Sequence, residues 1–274
     1  MSKKDNSKIV KHYDANYGNF QMELYEQIRR EAFGKDIGQN SWLTADEQDR
    51  FIQWLNLSES KKLLEVACGS GQPTLRIAEQ TGCSVIGIDI HEQAIETANS
   101  LALKQNLTDR AEFQVVNASI KLPFADETFD AISCIDAINH LPDRNGVIVE
   151  WARVMKVGGR ILFTDPITVT GALTAEEIAI RSSIGFFLFV PIGADERAIQ
   201  AAGLKLLQKE DVTENMAVIA ERRRIARESR GSALREIEGE ETFEGQQRFL
   251  AVAAQLAKER RLSRFVYVAE KRRG

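Results

Sequence analysis

The sequence predicts an α/β fold in which a parallel sheet is wound on both faces by helices. Three observations carry that expectation. Short apolar runs rich in Val, Ile and Leu recur at 62–67, 84–90, 111–116, 129–135 and 160–164. Segments of helical period fall between several of them, at 72–80, 91–105 and 142–155. The first run ends in a turn of small residues, Ala67-Cys-Gly-Ser-Gly71, where open α/β sheets bind nucleotides. Alternation of this kind requires right-handed crossovers and helices on both faces.

The elements can be justified in order. The first 60 residues are polar and aromatic with helical patches. Thr44 and Glu47 have capping-box spacing, and Phe51, Ile52, Trp54 and Leu55 follow at helical period. In the helix at 91–105, Ala94, Ile95, Ala98, Leu101 and Ala102 share one face. Pro142 opens a helix to about residue 155, and Gly158-Gly159 stops it. Residues 173–190 read as helical, with a second capping box at Thr174 and Glu177. A helix at 194–202, a sixth strand at 204–212, helices at 214–230 and 240–259 and a last strand at 264–269 complete the chain. The span between the final two strands is long for a loop and reads as a helical cap. The expected organisation is an N-terminal helical lid (1–60), a sheet domain (61–212 with 263–274) and a cap insertion (213–262).

Composition narrows the function classes. Of 274 residues, 43% are hydrophobic and 28% charged, as in an ordinary globular protein. The net charge of −4 disfavours a nucleic-acid partner, since affinity for phosphate backbones needs surplus Lys and Arg. Residues 221–274 are locally basic, 14 against 9 acidic, and include Arg222, Arg223, Arg224, Arg227 and Arg230. Interleaved Glu makes a solvated helix face the expectation, with an anionic partner as the minor alternative. Cys68, Cys83 and Cys134 cannot all pair and lack metal-ligand spacing, so no metal and a reduced, cytoplasmic setting are expected. No signal-peptide-like run occurs in residues 1–30, and the longest apolar stretch, 184–192, is too short for a bilayer. No membrane partner is expected, and 184–190 reads as core or dimer contact, with a pocket wall as the alternative.

The chemistry concentrates in 63–71. Gly69 and Gly71 would let a ligand approach the backbone, and the following helix offers N–H groups and a positive dipole end. The dinucleotide pattern G-x-G-x-x-G fails, because Thr74 stands where its third Gly belongs. Asp89, 18 residues after Gly71, can accept from both hydroxyls of an adenosine ribose. Glu65, within the strand end, suits a ligand bearing an ammonium group and would repel a pyrophosphate.

These segments resemble the class I S-adenosylmethionine-dependent methyltransferases. The resembling blocks are E-V-A-C-G-S-G at 65–71, V-I-G-I-D-I at 85–90, N-A-S at 117–119, L-P-F-A-D-E-T-F-D at 122–130 and V-M-K-V-G-G-R-I-L-F-T-D-P at 154–166. They run in family order over about half of the chain. The resemblance implies a Rossmann-like sheet of seven strands, the last antiparallel, with S-adenosyl-L-methionine as cofactor. It implies a cofactor site of Glu65, Ala67, Gly69, Gly71, Asp89, Ile90, Asn117, Ala118, Ile135 and Asp136. Among these, Asp89 would hold the ribose, Ile90, Asn117 and Ala118 the adenine, and Ile135 and Asp136 the methionine end. Cys68 reads as a small filler of the turn.

Methyl transfer to a small molecule at N or O is the expected activity, from a monomer or homodimer. His140, just past the fourth strand, is a candidate base or substrate contact, with packing against the cap as the alternative. His12 and His91 read as surface or capping residues. Tyr13, Tyr17 and Trp42 are candidates for the substrate wall, and Tyr17 for a catalytic role as well. The rivals are an NAD-dependent oxidoreductase, a non-catalytic cofactor binder, and methylation of carbon or of a macromolecule. The failed glycine pattern and Glu65 count against the first. The absence of a D/N-P-P-Y/F tetrapeptide after strand four counts against a macromolecular acceptor. The acceptor's identity has no legible motif.

Overall fold

A computed structural model describes residues 21–273. Tyr13, Tyr17 and His12 lie outside the described residues.

The sheet forms as the apolar runs require. Strands β1 (Lys62–Val66), β2 (Ser84–Asp89), β3 (Ala111–Val115), β4 (Phe129–Cys134) and β5 (Met155–Val169) are mutually parallel where they pair. Strands β6 (Val190–Pro191), β7 (Leu204–Asp211) and β8 (Leu262–Lys271) follow. The order is β3-β2-β1-β4-β5-β8-β7, with the two-residue β6 on β5. Strand β8 runs antiparallel to both neighbours, as expected. Leu63, Val85 and Ala131 join the core on one face, whereas Leu64, Ile86 and Ile132 join that on the other. A strand buried on both faces must be apolar at consecutive positions, which is why these runs do not alternate with polar residues.

The crossovers are α3 (Gln72–Thr81), α4 (Glu92–Lys104) and α5 (Arg144–Val154), preceded in the chain by α1 (Glu23–Phe33) and α2 (Ala45–Leu55). The Thr44–Glu47 capping box is formed, as is that of Thr174 and Glu177 at the start of α6 (Ala175–Arg181). A short α7 (Ala194–Ala201) leads into β7. Helices α8 (Thr213–Glu228), α9 (Gly231–Glu238) and α10 (Glu240–Lys258) connect β7 to β8. Phe33 and Trp42 pack with Met216, Ile219, Phe249 and Leu250, which joins the N-terminal segment to this helical layer.

Two local expectations are corrected. Strand β5 continues past Pro166, because that proline falls where the β5–β8 register shifts between Asp165 and Thr168. There the ladder makes no regular demand on its missing N–H. The helix expected over 173–190 ends at Arg181, and residues 182–189 cross the carboxyl edge of the sheet in irregular backbone. Within the basic stretch Arg224 pairs with Glu221 and Arg227 with Glu238, whereas Arg230 pairs with Glu31 of α1, and Arg227 is buried and not on a solvated face. Among the described residues, no helix is long and apolar enough to cross a membrane.

Candidate active site

Strand order reverses between β1 and β4, and a crevice opens there at the carboxyl edge. The β1–α3 turn folds tightly, with Ala67, Gly69 and Gly71 all at positive φ and the Gly71 N–H donating to the Cys68 carbonyl at 3.1 Å. A Cβ on Gly71 would stand 2.6 Å from Ala98 Cβ and 2.8 Å from Phe113. Its glycine is therefore required by helix–strand packing, and Gly71 is not among the residues lining the crevice. The remaining proposed cofactor residues, Glu65, Ala67, Gly69, Asp89, Ile90, Asn117, Ala118, Ile135 and Asp136, do line one cleft of about 370 Å³.

Asp89 is oriented by two backbone donors, Gly69 N at 2.9 Å and His91 N at 3.0 Å, one on each oxygen. A carboxylate has about four acceptor positions, so this arrangement still leaves capacity for a diol. Ile90 is half exposed, which gives an aromatic ligand an apolar face. Asn117 Oδ1 closes a turn on Ser119 N at 2.9 Å. Cys68 is buried, and burial pushes its thiol well up, so it is no nucleophile at neutral pH.

Glu65 is 5% exposed, and its Oε2 has no hydrogen-bond partner. Burial pushes its pKa up to about 7. An unsatisfied acidic oxygen in a cleft is chemically matched to an ammonium group, which would supply both the missing donor and the compensating charge.

Asp136, beside its place on the cleft, has a structural part. Its Oδ1 accepts from Thr164 Oγ1 and Arg264 Nε, both at 2.7 Å, and its Oδ2 from Trp42 N at 2.9 Å. It thus ties the loop before α2 to the sheet while lining the cleft. Arg264, fully buried, also donates to both oxygens of Glu47, at 2.9 and 3.0 Å.

Beyond His140 and Asp136, which face both cavities, lies an inner chamber of about 150 Å³. Its wall includes Phe33, Trp42, Asn139, Arg181, Phe187 and Phe249. Trp42, expected to line the substrate site, stands here, stacked on Phe249 at 6.5 Å. Residues 184–190 do not behave as core or dimer contact only: Gly185 and Phe186 wall the cleft, and Ile184 and Phe187 the chamber. The nitrogen Nδ1 of His140 lies 2.8 Å from the Phe186 carbonyl oxygen, so Nδ1 carries the proton and Nε2 the lone pair. Burial lowers the His140 pKa, and the nearby Arg181 charge adds to that effect.

Phe187 belongs to the apolar stretch 184–190 already noted, whereas Asn139, Arg181 and Phe249 were not singled out from sequence. Asn139 adjoins His140 in a 3₁₀ turn (Ile138–His140) and could have been suspected from that alone. The others reach the site through long-range packing and carry no local signal.

An open, mostly parallel α/β sheet with a cleft at its strand-order reversal is the architecture in which nucleotide-type cofactors bind. Comparison with known proteins narrows it. Residues 64–163 match the methyltransferase domain family. The chain is 30% identical over 226 residues to the 27-O-demethylrifamycin SV methyltransferase of Amycolatopsis mediterranei, covering 78% of this chain and 79% of that one. It is 34% identical over 172 residues to methyltransferase GfsG of Streptomyces halstedii, covering 61% and 60% of the two chains. Its fold superposes on the cyclopropane synthase MmaA2 of Mycobacterium tuberculosis with a TM-score of 0.81, at 16% identity over 96% of this chain and 98% of the other. The chain belongs to the class I, Rossmann-like S-adenosylmethionine-dependent methyltransferases. S-adenosylmethionine is its cofactor, and the nicotinamide alternative falls.

The Glu65 geometry then has a measurable consequence. A cofactor ammonium group placed on Glu65, as proposed below, would favour its ionised form, whereas burial holds Glu65 protonated below about pH 7 in the free protein. Binding at lower pH must release that proton, so affinity falls as pH falls. Calorimetry should show S-adenosylmethionine binding about tenfold weaker at pH 6 than at pH 8. Glu65→Gln should flatten this dependence. A slope that persists in the variant would assign it to another group.

Proposed function

We propose that this enzyme methylates a hydroxyl oxygen of a small molecule, with the acceptor seated in the inner chamber. The cofactor cleft would be formed by Glu65, Gly69, Asp89, Ile90, Asn117 and Ala118. When bound, S-adenosylmethionine supplies a methyl group already activated by its sulfonium charge. The protein's task is then alignment, exclusion of water and proton removal.

The observation that carries the oxygen reading is the placement of His140. It stands at the junction of cleft and chamber, and the Phe186 carbonyl fixes its Nε2 as the basic nitrogen. A hydroxyl must lose a proton on methylation, and a neutral imidazole can take it. Because its pKa is lowered, His140 stays neutral at physiological pH. An uncharged amine would need no base before attack. The rifamycin relative, named for an O-demethyl substrate, supports a small-molecule oxygen acceptor.

Methylation at carbon is the second reading, favoured by the aromatic wall of the chamber. The cation generated when an alkene attacks would need free ring faces. Here Arg181 already lies 4.3 Å from the Phe249 centroid and 5.6 Å from that of Phe187. That occupancy argues for oxygen. The helices spanning residues 213–262 and the segment before residue 60 would serve as cap and lid over this edge. Three free, buried cysteines suit a reducing, cytoplasmic setting.

The test is to incubate the enzyme with methyl-labelled cofactor and a panel of hydroxylated, ring-containing small molecules, and to locate the label by heteronuclear NMR. A methoxy product is expected. A C-methyl product from the same panel would sink the oxygen assignment.

A further inference from the structure

We infer that Asn139 is a specificity-determining residue that reads a neutral donor–acceptor edge on the acceptor, such as a carboxamide, a lactam or a neighbouring hydroxyl–carbonyl pair. The inference rests on the proposal that the acceptor occupies the inner chamber. Asn139 is completely buried and lines that chamber. Neither its Nδ2 nor its Oδ1 has a hydrogen-bond partner. Its backbone is engaged independently, the carbonyl accepting from Leu188 N at 2.8 Å, so the side chain is not consumed in holding the turn.

A buried amide with both ends unsatisfied is an unfavourable feature that a purely structural position would lose by becoming apolar. On a cavity wall, the deficit is relieved when a ligand supplies both partners. The amide presents one acceptor and two donors in a plane. Its best complement is a group offering a donor and an acceptor side by side. A carboxylate would face Oδ1 with a second acceptor, and an ammonium would leave Nδ2 unmatched. The chamber, at about 150 Å³, matches the size of an engineered cavity that accepts benzene. It therefore receives one ring-sized portion of a larger acceptor, and the edge belongs on that portion.

Benzamide and acetophenone test this, since they share a ring and a shape but differ in an NH₂ against a CH₃. Each is titrated by ligand-observed NMR into the protein saturated with S-adenosylhomocysteine. The wild type should bind benzamide about tenfold more tightly. Asn139→Leu should bind both at the acetophenone level. The ligand-free Asn139→Leu protein should also melt about 2–4 °C higher, because an unsatisfied polar group has been replaced by an apolar one of similar volume. Equal affinity of the wild type for the two probes, including none for either, overturns the inference. So does a melting temperature that fails to rise in Asn139→Leu, which would show the amide already satisfied in the free protein. A benzamide preference without methylation of any hydroxyl would remove the oxygen reading and leave this inference standing. Hydroxyl methylation without the preference would do the reverse.

Discussion

Replacing His140 by alanine should lower kcat by about 10²–10⁴-fold while leaving S-adenosylmethionine binding largely intact. The ring faces both cavities, and its Nδ1 is committed to the Phe186 carbonyl. Loss of Nε2 removes the proton acceptor from the junction where an acceptor hydroxyl must meet the methyl group. His140→Gln is the informative companion. Its amide N–H can still donate toward the Phe186 carbonyl, but it supplies no base. If His140 acts only by holding residues 184–189 in place, the glutamine variant should recover most of the activity. If it acts as the base, both variants should be similarly slow. The pH profile gives a second readout. Burial lowers the His140 pKa, so wild-type turnover should fall only as pH drops through a value below the ordinary 6.5, where the imidazole becomes protonated. That limb should vanish in both variants. A kcat within a few-fold of wild type in His140→Ala would withdraw the base assignment.

The second large effect is on stability. Arg264→Met should destabilise the protein by about 3–5 kcal/mol, the usual result of removing one partner from a buried ion pair. Arg264 is wholly buried between Glu47 and Asp136, and its removal would leave two carboxylates without their compensating charge. Burial already raises the Glu47 pKa, while Arg264 opposes that rise. Without Arg264, Glu47 would bind its proton more tightly in the folded state than in the unfolded one. The contribution from such a group is present below the unfolded pKa and lost as pH rises through the folded value. The deficit of Arg264→Met relative to wild type should thus shrink toward pH 5 and grow toward pH 8. Denaturant melts across this range, with Glu47→Gln added to the variant to form a double-mutant cycle, would measure the coupling. A constant deficit of under 1 kcal/mol would show the network to be energetically idle. The same network holds Trp42 N through Asp136, so the chamber wall depends on it.

Local chemistry made much of the site legible. The strand runs, both capping boxes and the Glu65–Gly71 turn are determined within a few residues, because propensity, capping and turn geometry are short-range effects. Asp89 could be placed because it ends the strand beside that turn, and parallel pairing of adjacent strands brings their carboxyl ends together. His140 was legible for a related reason, since it follows a strand whose end must face the same crevice.

Other features were decided only by tertiary structure. The length of β5 depended on β8, an antiparallel partner about 100 residues away in sequence that tolerates Pro166 at its register shift. The sequence from 182 to 189 has helix-compatible composition, yet it leaves the helix to bring Phe186 and Phe187 over two cavities. Gly71, expected as a ligand-approach glycine, also has a packing reason to lack a side chain, set by Ala98 and Phe113. Asp136 lies on the cofactor edge as expected, but Arg264, Thr164 and Trp42 claim its oxygens. The sequence by itself determined the class of fold and, through the family resemblance, the cofactor, and it placed the strand ends proposed to hold it. The chamber proposed for the acceptor was decided in three dimensions, because its wall gathers side chains from α1, α6, α8, α10 and their connecting loops, and contacts between such distant segments leave no periodicity or spacing to read.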